Sequence, residues 1–146
     1  MGPMATIREL VQDREIYSVQ ANNTVREAAT FMAQRNVGAV PVLRGSDLVG
    51  VFSERDVVRR VLMEGRDWSN TLVNDVMSPD PLTVSPNESA EQCELLMKQH
   101  NFRHLPVCDG KHLVGFISIK ELLLHDLDAK EIEVRMMRAY MSAGAE

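Results

Sequence analysis

Two short segments of the chain place a serine, a basic side chain and a carboxylate at the start of a predicted helix. They are Ser53-Glu54-Arg55-Asp56 and Ser118-Ile119-Lys120-Glu121. A serine N-cap with an acid three residues on is a capping arrangement in its own right. The same groups can also bind: a carboxylate offers two acceptors in one plane to a vicinal diol, and the free N–H groups of a helix start suit phosphate. Glu121 is one methylene longer than Asp56, so it can fold back onto its helix end and miss a diol, which makes it the weaker candidate. Arg103 and His104, ahead of Pro106-Val107, supply complementary chemistry. Arg103 is a permanent bidentate donor and His104 a second donor near neutral pH, together a phosphate clamp. The plainer alternative is a solvated strand start. Gly38 and Ala39 stand at the matching places ahead of Pro41-Val42, leaving space but little charge.

The other reactive side chains point away from catalysis. His100, His104, His112 and His125 show no HxH or HExxH spacing, so no metal is expected. No GxSxG or Walker A sequence is present. Cys93 and Cys108 have no CxxC spacing and read as free thiols of a reducing cytoplasm rather than a disulfide. A net charge of −5 argues against a general nucleic-acid binder. No apolar run approaches the ~20 residues of a membrane span. Met1 to Thr6 formally match an N-myristoylation pattern, but read better as a cloning remnant ahead of a native Met4. With 146 residues, 45% of them hydrophobic, the chain can bury one substantial core.

The elements that must position these groups occur twice, at one fixed offset. Pro41 answers Pro106, Gly50 answers Gly115 and Ser53 answers Ser118, each 65 residues on. Met32/Met97, Gly45/Gly110 and Leu48-Val49/Leu113-Val114 keep that register. A constant offset across glycines and prolines means duplicated supersecondary structure. The first copy predicts a strand over 16–19, a helix capped by Thr24 with Glu27 as its capping-box partner, a buried strand over 37–43, a hairpin, a return strand over 48–52 and a helix from Ser53 to about Met63. The second copy predicts a strand over 82–84, a helix from Ser89 to about Gln99, strands over 102–108 and 113–117, and a helix from Ser118. Thr6-Ile7 and Val11 answer Thr71-Leu72 and Val76, so each copy opens with a short lead-in helix. Met32 and Met97 read as core filler, and Trp68, in the linker, as a plug between the copies. The expected fold class is α/β (α+β): two tandem pseudo-symmetric β-α-β-β-α repeats over 6–65 and 71–125, with a helical extension over 126–146.

The hydrophobic-Pro-Val strand, the Leu-Val-Gly strand and the Gly-h-h-Ser-x-x-acid helix start, each present twice, closely resemble the CBS domain (h, hydrophobic). Two in tandem are similar to a Bateman module over roughly residues 6–125. The resemblance implies a non-enzymatic, cytoplasmic sensor that binds an adenosine-containing ligand such as AMP, ADP, ATP, S-adenosylmethionine or NAD(H), usually as a homodimer acting on another protein. It also implies two clefts, each combining the acidic helix start of one copy with the pre-Pro-Val residues of the other. Site A then takes Ser53, Arg55 and Asp56 with Phe102, Arg103, His104 and Leu105. Site B takes Ser118, Lys120 and Glu121 with Val37, Gly38, Ala39 and Val40. Adenine would lie against Ile16, Tyr17 and Ser18 or against Pro81, Leu82 and Thr83. Site A, with both the ribose acid and the strong phosphate donors, is expected to bind more tightly. The rival expectation is a constitutive interaction scaffold with vestigial clefts.

Overall fold

The computed structural model describes residues 6–144; the amino-terminal pattern ending at Thr6 therefore lies almost wholly outside the described residues. In chain order the elements are α1 (Ile7–Val11), β1 (Val19–Gln20), α2 (Val25–Arg35), β2 (Ala39–Arg44), β3 (Asp47–Ser53), α3 (Glu54–Asp56), α4 (Val73–Val76), β4 (Ser78–Pro79), α5 (Ala90–His100), β5 (His104–Asp109), β6 (His112–Ser118) and α6 (Ile119–Gly144). Five strands lie in the order β1-β2-β3-β6-β5, with β4 added on β3. The two hairpins meet where Asp47 of β3 pairs antiparallel with His112 of β6.

Local chemistry recurs at the offset of 65. Thr24 and Ser89 cap α2 and α5 through their side chains, and Asn36 and Asn101 end those helices at φ 55°. Asparagine tolerates this left-handed conformation better than most residues. Both hairpins shift register at the same place, between Val42 and Leu43 and between Val107 and Cys108. Strands β2 and β5 are buried over Ala39–Val42 and Leu105–Cys108, as their near-unbroken apolar runs require.

The copies nevertheless exchange their lead-in helices. Ile7 and Val11 of α1 are buried in the second copy's core with Val84, Cys93, Met97, Leu105, Val107, Ile117 and Leu122. Val73 and Val76 of α4 are buried in the first copy's core with Val25, Met32, Val40, Val42, Phe52 and Val61. The backbone follows suit: Ile7 N–H donates to Glu88 O at 2.8 Å, and Val73 N–H to Asn23 O at 2.9 Å. Covalent repeat and packed core therefore do not coincide.

Several elements differ from expectation. The first strand is Val19–Gln20 rather than 16–19; Tyr17, ahead of it, packs its ring edge-on against Phe31. In place of a strand over 82–84, Val84 alone bridges Val107. Pro79, Pro81 and Pro86 around it bring no N–H to a ladder. Strand β4, paired with Gly50 and Val51, was not expected. The helix after Ser53 widens into a π-helix over Val57–Leu62, with Met63 N–H bonding Val58 O at 3.0 Å. Trp68 does not plug the join between copies; it is 44% exposed with Arg26 over its ring. Met32 and Met97 are buried, and both cysteines are buried and free.

Candidate functional site

Asp56 is the most constrained of the candidate groups. Its side chain is buried, the residue only 7% exposed. Oδ2 accepts from Ser53 N–H at 2.9 Å and from Ser53 Oγ at 3.1 Å, while Ser53 Oγ accepts from Asp56 N–H at 3.4 Å. The capping box of this helix is thus closed by the shorter acid. Oδ1 takes no hydrogen bond among the described residues, and Arg60 Nε stands 3.8 Å from it. Arg60 is itself held at the end of α4, donating to Val76 O at 3.2 Å and to Met77 O at 2.7 Å. One carboxylate oxygen is locked to Ser53 and the other stands beside a fixed guanidinium. Arg55 is exposed on the same turn.

The second copy solves the same local problem differently. Glu121 N–H bonds Ser118 Oγ at 3.1 Å, but the Glu121 carboxylate pairs with Arg14, which follows the exchanged helix α1. The expected fold-back of the longer acid onto its own cap does not occur. Its extra methylene lets it reach a guanidinium that has no counterpart in the first copy, where Pro79 occupies the matching position. Lys120 is exposed.

Arg103 and His104 begin β5. His104 pairs with Ser118, its ring stacks on Phe116 at 5.2 Å and 8°, and Arg103 O accepts from Ile119 N–H at 2.8 Å. Burial, then the nearby Arg103, push the His104 pKa below its ordinary value, against the upward pull of Glu121. A neutral imidazole still offers one N–H, so His104 remains a donor while Arg103 carries the charge. Phe102 is exposed but stacked on His100 at 5.3 Å. In the first copy Ala39 pairs with Ser53, and Gly38 O accepts from Glu54 N–H at 3.0 Å. A Cβ at Gly38 would lie 3.5 Å from a Glu54 carboxylate oxygen. An acid therefore covers the small residues of site B, where the second copy has Ile119, and this disfavours phosphate there.

Each pre-Pro-Val segment is thus joined through backbone to the helix start of its own copy. Among the described residues, no hydrogen bond or ion pair links Ser53, Arg55 or Asp56 to Phe102–Leu105, or Ser118, Lys120 or Glu121 to Val37–Val40. Leu105 and Val40 are fully buried in the two cores and present no surface to either cleft. Ile16, Tyr17 and Ser18 are half-buried, with the Tyr17 ring committed to Phe31 and Arg35. Pro81 is half-buried, and Leu82 and Thr83 are exposed. Sequence reasoning missed Arg14, Glu54 and Arg60. Arg14 and Glu54 were signalled by a mismatch at the offset of 65, with Pro79 and Ile119 opposite; Arg60, with His125 opposite, also stood four residues after Asp56 on the predicted helix.

A duplicated helix start with one closed capping box, a Pro-Val strand beside it and exchanged lead-in helices can be compared with known proteins. The CBS domain family model matches residues 7–63 and again 73–128. The chain belongs to the CBS domain family. Its tandem repeats make it a CBS pair, and the α/β architecture is that of two CBS repeats with a carboxy-terminal helix. The CBS domain-containing protein YhcV of Bacillus subtilis (strain 168) is 38% identical over 113 residues, 77% of this chain and 80% of YhcV. A putative signal-transduction protein with CBS domains from Burkholderia ambifaria MC40-6 superposes with a TM-score of 0.75 at 35% identity, over 82% of this chain and 91% of its own. CBSX2, solved in complex with AMP, gives a TM-score of 0.74 at 26% identity, over 86% of this chain and 98% of its own.

Among the described residues, no cluster of three or more His, Cys, Asp or Glu is placed to hold a metal ion, and no helix is long and apolar enough to cross a membrane.

Proposed function

We propose that this CBS pair is a non-enzymatic cytoplasmic regulator that binds an adenosine-containing ligand, AMP or another adenine nucleotide or NAD(H), chiefly at site A. The observation that carries this is Asp56: a nearly buried carboxylate with Oδ2 fixed by Ser53 and Oδ1 free of hydrogen bonds, set for a ribose diol. Arg103 takes the phosphate as a charged donor, and His104 assists with its single N–H. The exposed edge Leu82-Thr83, or the segment Ile16–Ser18, receives the base. Glu54 over Gly38 and Arg14 on Glu121 make site B the weaker cleft. Two copies form a homodimer, and ligand acts on a downstream protein only through a difference in affinity between two states. The AMP complex of CBSX2 supports the choice of ligand class.

The test is a thermal-shift series with millimolar AMP, ADP, ATP, NAD, NADH and S-adenosylmethionine on the parent, Asp56→Ala and Arg103→Ala. A ligand at about 100 times its dissociation constant stabilises by about 2.7 kcal/mol, on the order of 5–10 °C at this chain length. Asp56→Ala also lowers the unliganded midpoint by removing half the capping box, so the readout is the ligand-dependent increment. Its loss in both variants supports site A. No increment with any compound on the parent favours the second reading, a constitutive interaction scaffold, whose supporting observation is the bare apolar face of α6.

A further inference from the structure

Helix α6 is 26 residues long, but only its beginning belongs to the body of the molecule. Leu122 is buried in the second core and Ile119 packs against it, whereas from Leu127 to Ser142 every described side chain is exposed. That bare stretch carries Ile132, Met136, Met137, Tyr140 and Met141 along one broad side, Tyr140 at 81% exposure. Helices in proteins draw most of their stability from packing an amphipathic face, and a contiguous apolar patch marks a contact surface.

The charges on the same stretch say what covers it. Residues 126–133 hold Asp126, Asp128, Glu131 and Glu133 against Lys130 alone, four negative charges and one positive, a net −3. Residues 134–144 hold Arg135 and Arg138 and no acid, a net +2. Pairs within the helix use Asp126 with Lys130 at 3.0 Å and Glu131 with Arg135 at 2.8 Å. Asp128, Glu133 and Arg138 have no ion-pair partner among the described residues. A second copy laid parallel would set acid half beside acid half. Laid antiparallel, it sets each acid half against the partner's basic half.

We propose that α6 pairs antiparallel with α6 of a second copy, Ile132 of each helix packing on Met136 of the other about a two-fold axis between them. This stands independently of the nucleotide reading, since it uses no residue of either cleft. About that axis Asp128 and Ser142 fall on the same flank of the pair, each opposite the other's counterpart.

The experiment uses full-length Asp128→Cys and Ser142→Cys variants, mixed, oxidised and run on a non-reducing gel. Cys93 and Cys108 are buried and free and do not compete in the folded protein. The expected result is a mixed disulfide between the two variants in high yield, with little cross-linking of either alone. That yield falls at least tenfold when both chains also carry Ile132→Glu and Met136→Glu, substitutions at exposed positions that leave the fold intact by circular dichroism. Efficient cross-linking of each variant with itself would mean a parallel pair and overturn the proposal. So would a mixed disulfide indifferent to the two glutamates, or a monomer by sedimentation with no disulfide, which would give the face to an unrelated protein.

Discussion

At the scale of single residues, the two helix starts show how one methylene redirects a carboxylate. Asp56 is short enough to close its own capping box and leave one oxygen outward, whereas Glu121 reaches past its cap to Arg14. The types and positions of Ser53, Asp56, Arg103 and His104 were legible in the sequence because the repeat flagged them. Their partners were not, since Arg14 follows a helix exchanged from the other copy, and Arg60, one turn beyond Asp56, is held in place by the other exchanged helix. His104 supports a prediction with a definite sign. Its folded pKa lies below the unfolded value, so the unfolded chain binds the extra proton first and stability rises with pH through that window. Full stability is present above the ordinary imidazole pKa of about 6.5 and declines as pH falls through it toward the lower folded value. Thermal midpoints measured at pH 7.5 and 5.5 should therefore fall more in the parent than in His104→Gln. Equal drops in the two proteins would mean that burial does not govern this imidazole.

At the scale of elements, close approach explains why both return strands carry a glycine at the same place. A Cβ on Gly115 would lie 2.7 Å from Val11 Cβ, and one on Gly50 would lie 2.5 Å from the Met77 sulfur and 2.8 Å from Ser78 O. The exchanged lead-in segments lie directly on the strands at these points. Gly115→Ala meets a β-branched side chain that cannot swing away, and overpacking of this kind costs about 1–3 kcal/mol. In urea titrations Gly115→Ala should lose stability of that order, and adding Val11→Ala should restore part of the loss. A double variant no more stable than Gly115→Ala would place the strain elsewhere. The repeat made these glycines conspicuous, but their reason belongs to a neighbour distant in sequence. The capped helices α2 and α5 were readable from Thr24, Ser89 and their apolar stripes. The π-helix at Val57–Leu62 and the strand at Ser78–Pro79 had no local signal.

At the scale of the whole molecule, exchange of the lead-in helices couples two repeats that each look self-contained along the chain. Ile7 is fully buried, yet apart from Val11 on the same helix the buried core it fills is built from Val84 onward. Truncating it should behave as a core deletion in the second repeat: Ile7→Ala costs about 2–5 kcal/mol. A fragment spanning residues 71–128 lacks both Ile7 and Val11 and should not fold alone. Proton spectra of that fragment should show little dispersion until a peptide covering residues 6–15 is supplied. Native dispersion in the fragment by itself would show that the exchange is dispensable.

Much of this protein follows from sequence alone, because turns, caps and buried strands depend on neighbours a few residues away. The offset of 65 carried all three into a second copy, and with them the CBS pair, the two candidate helix starts and the inequality between Arg103-His104 and Gly38-Ala39. Tertiary structure decided what depends on residues far apart: which lead-in helix completes which core, which carboxylate pairs with a distant arginine, that Glu54 covers Gly38. It also decided that α6 leaves the body after its first turns, since packing against a distant core, and not helix-forming sequence, sets where a helix stays docked.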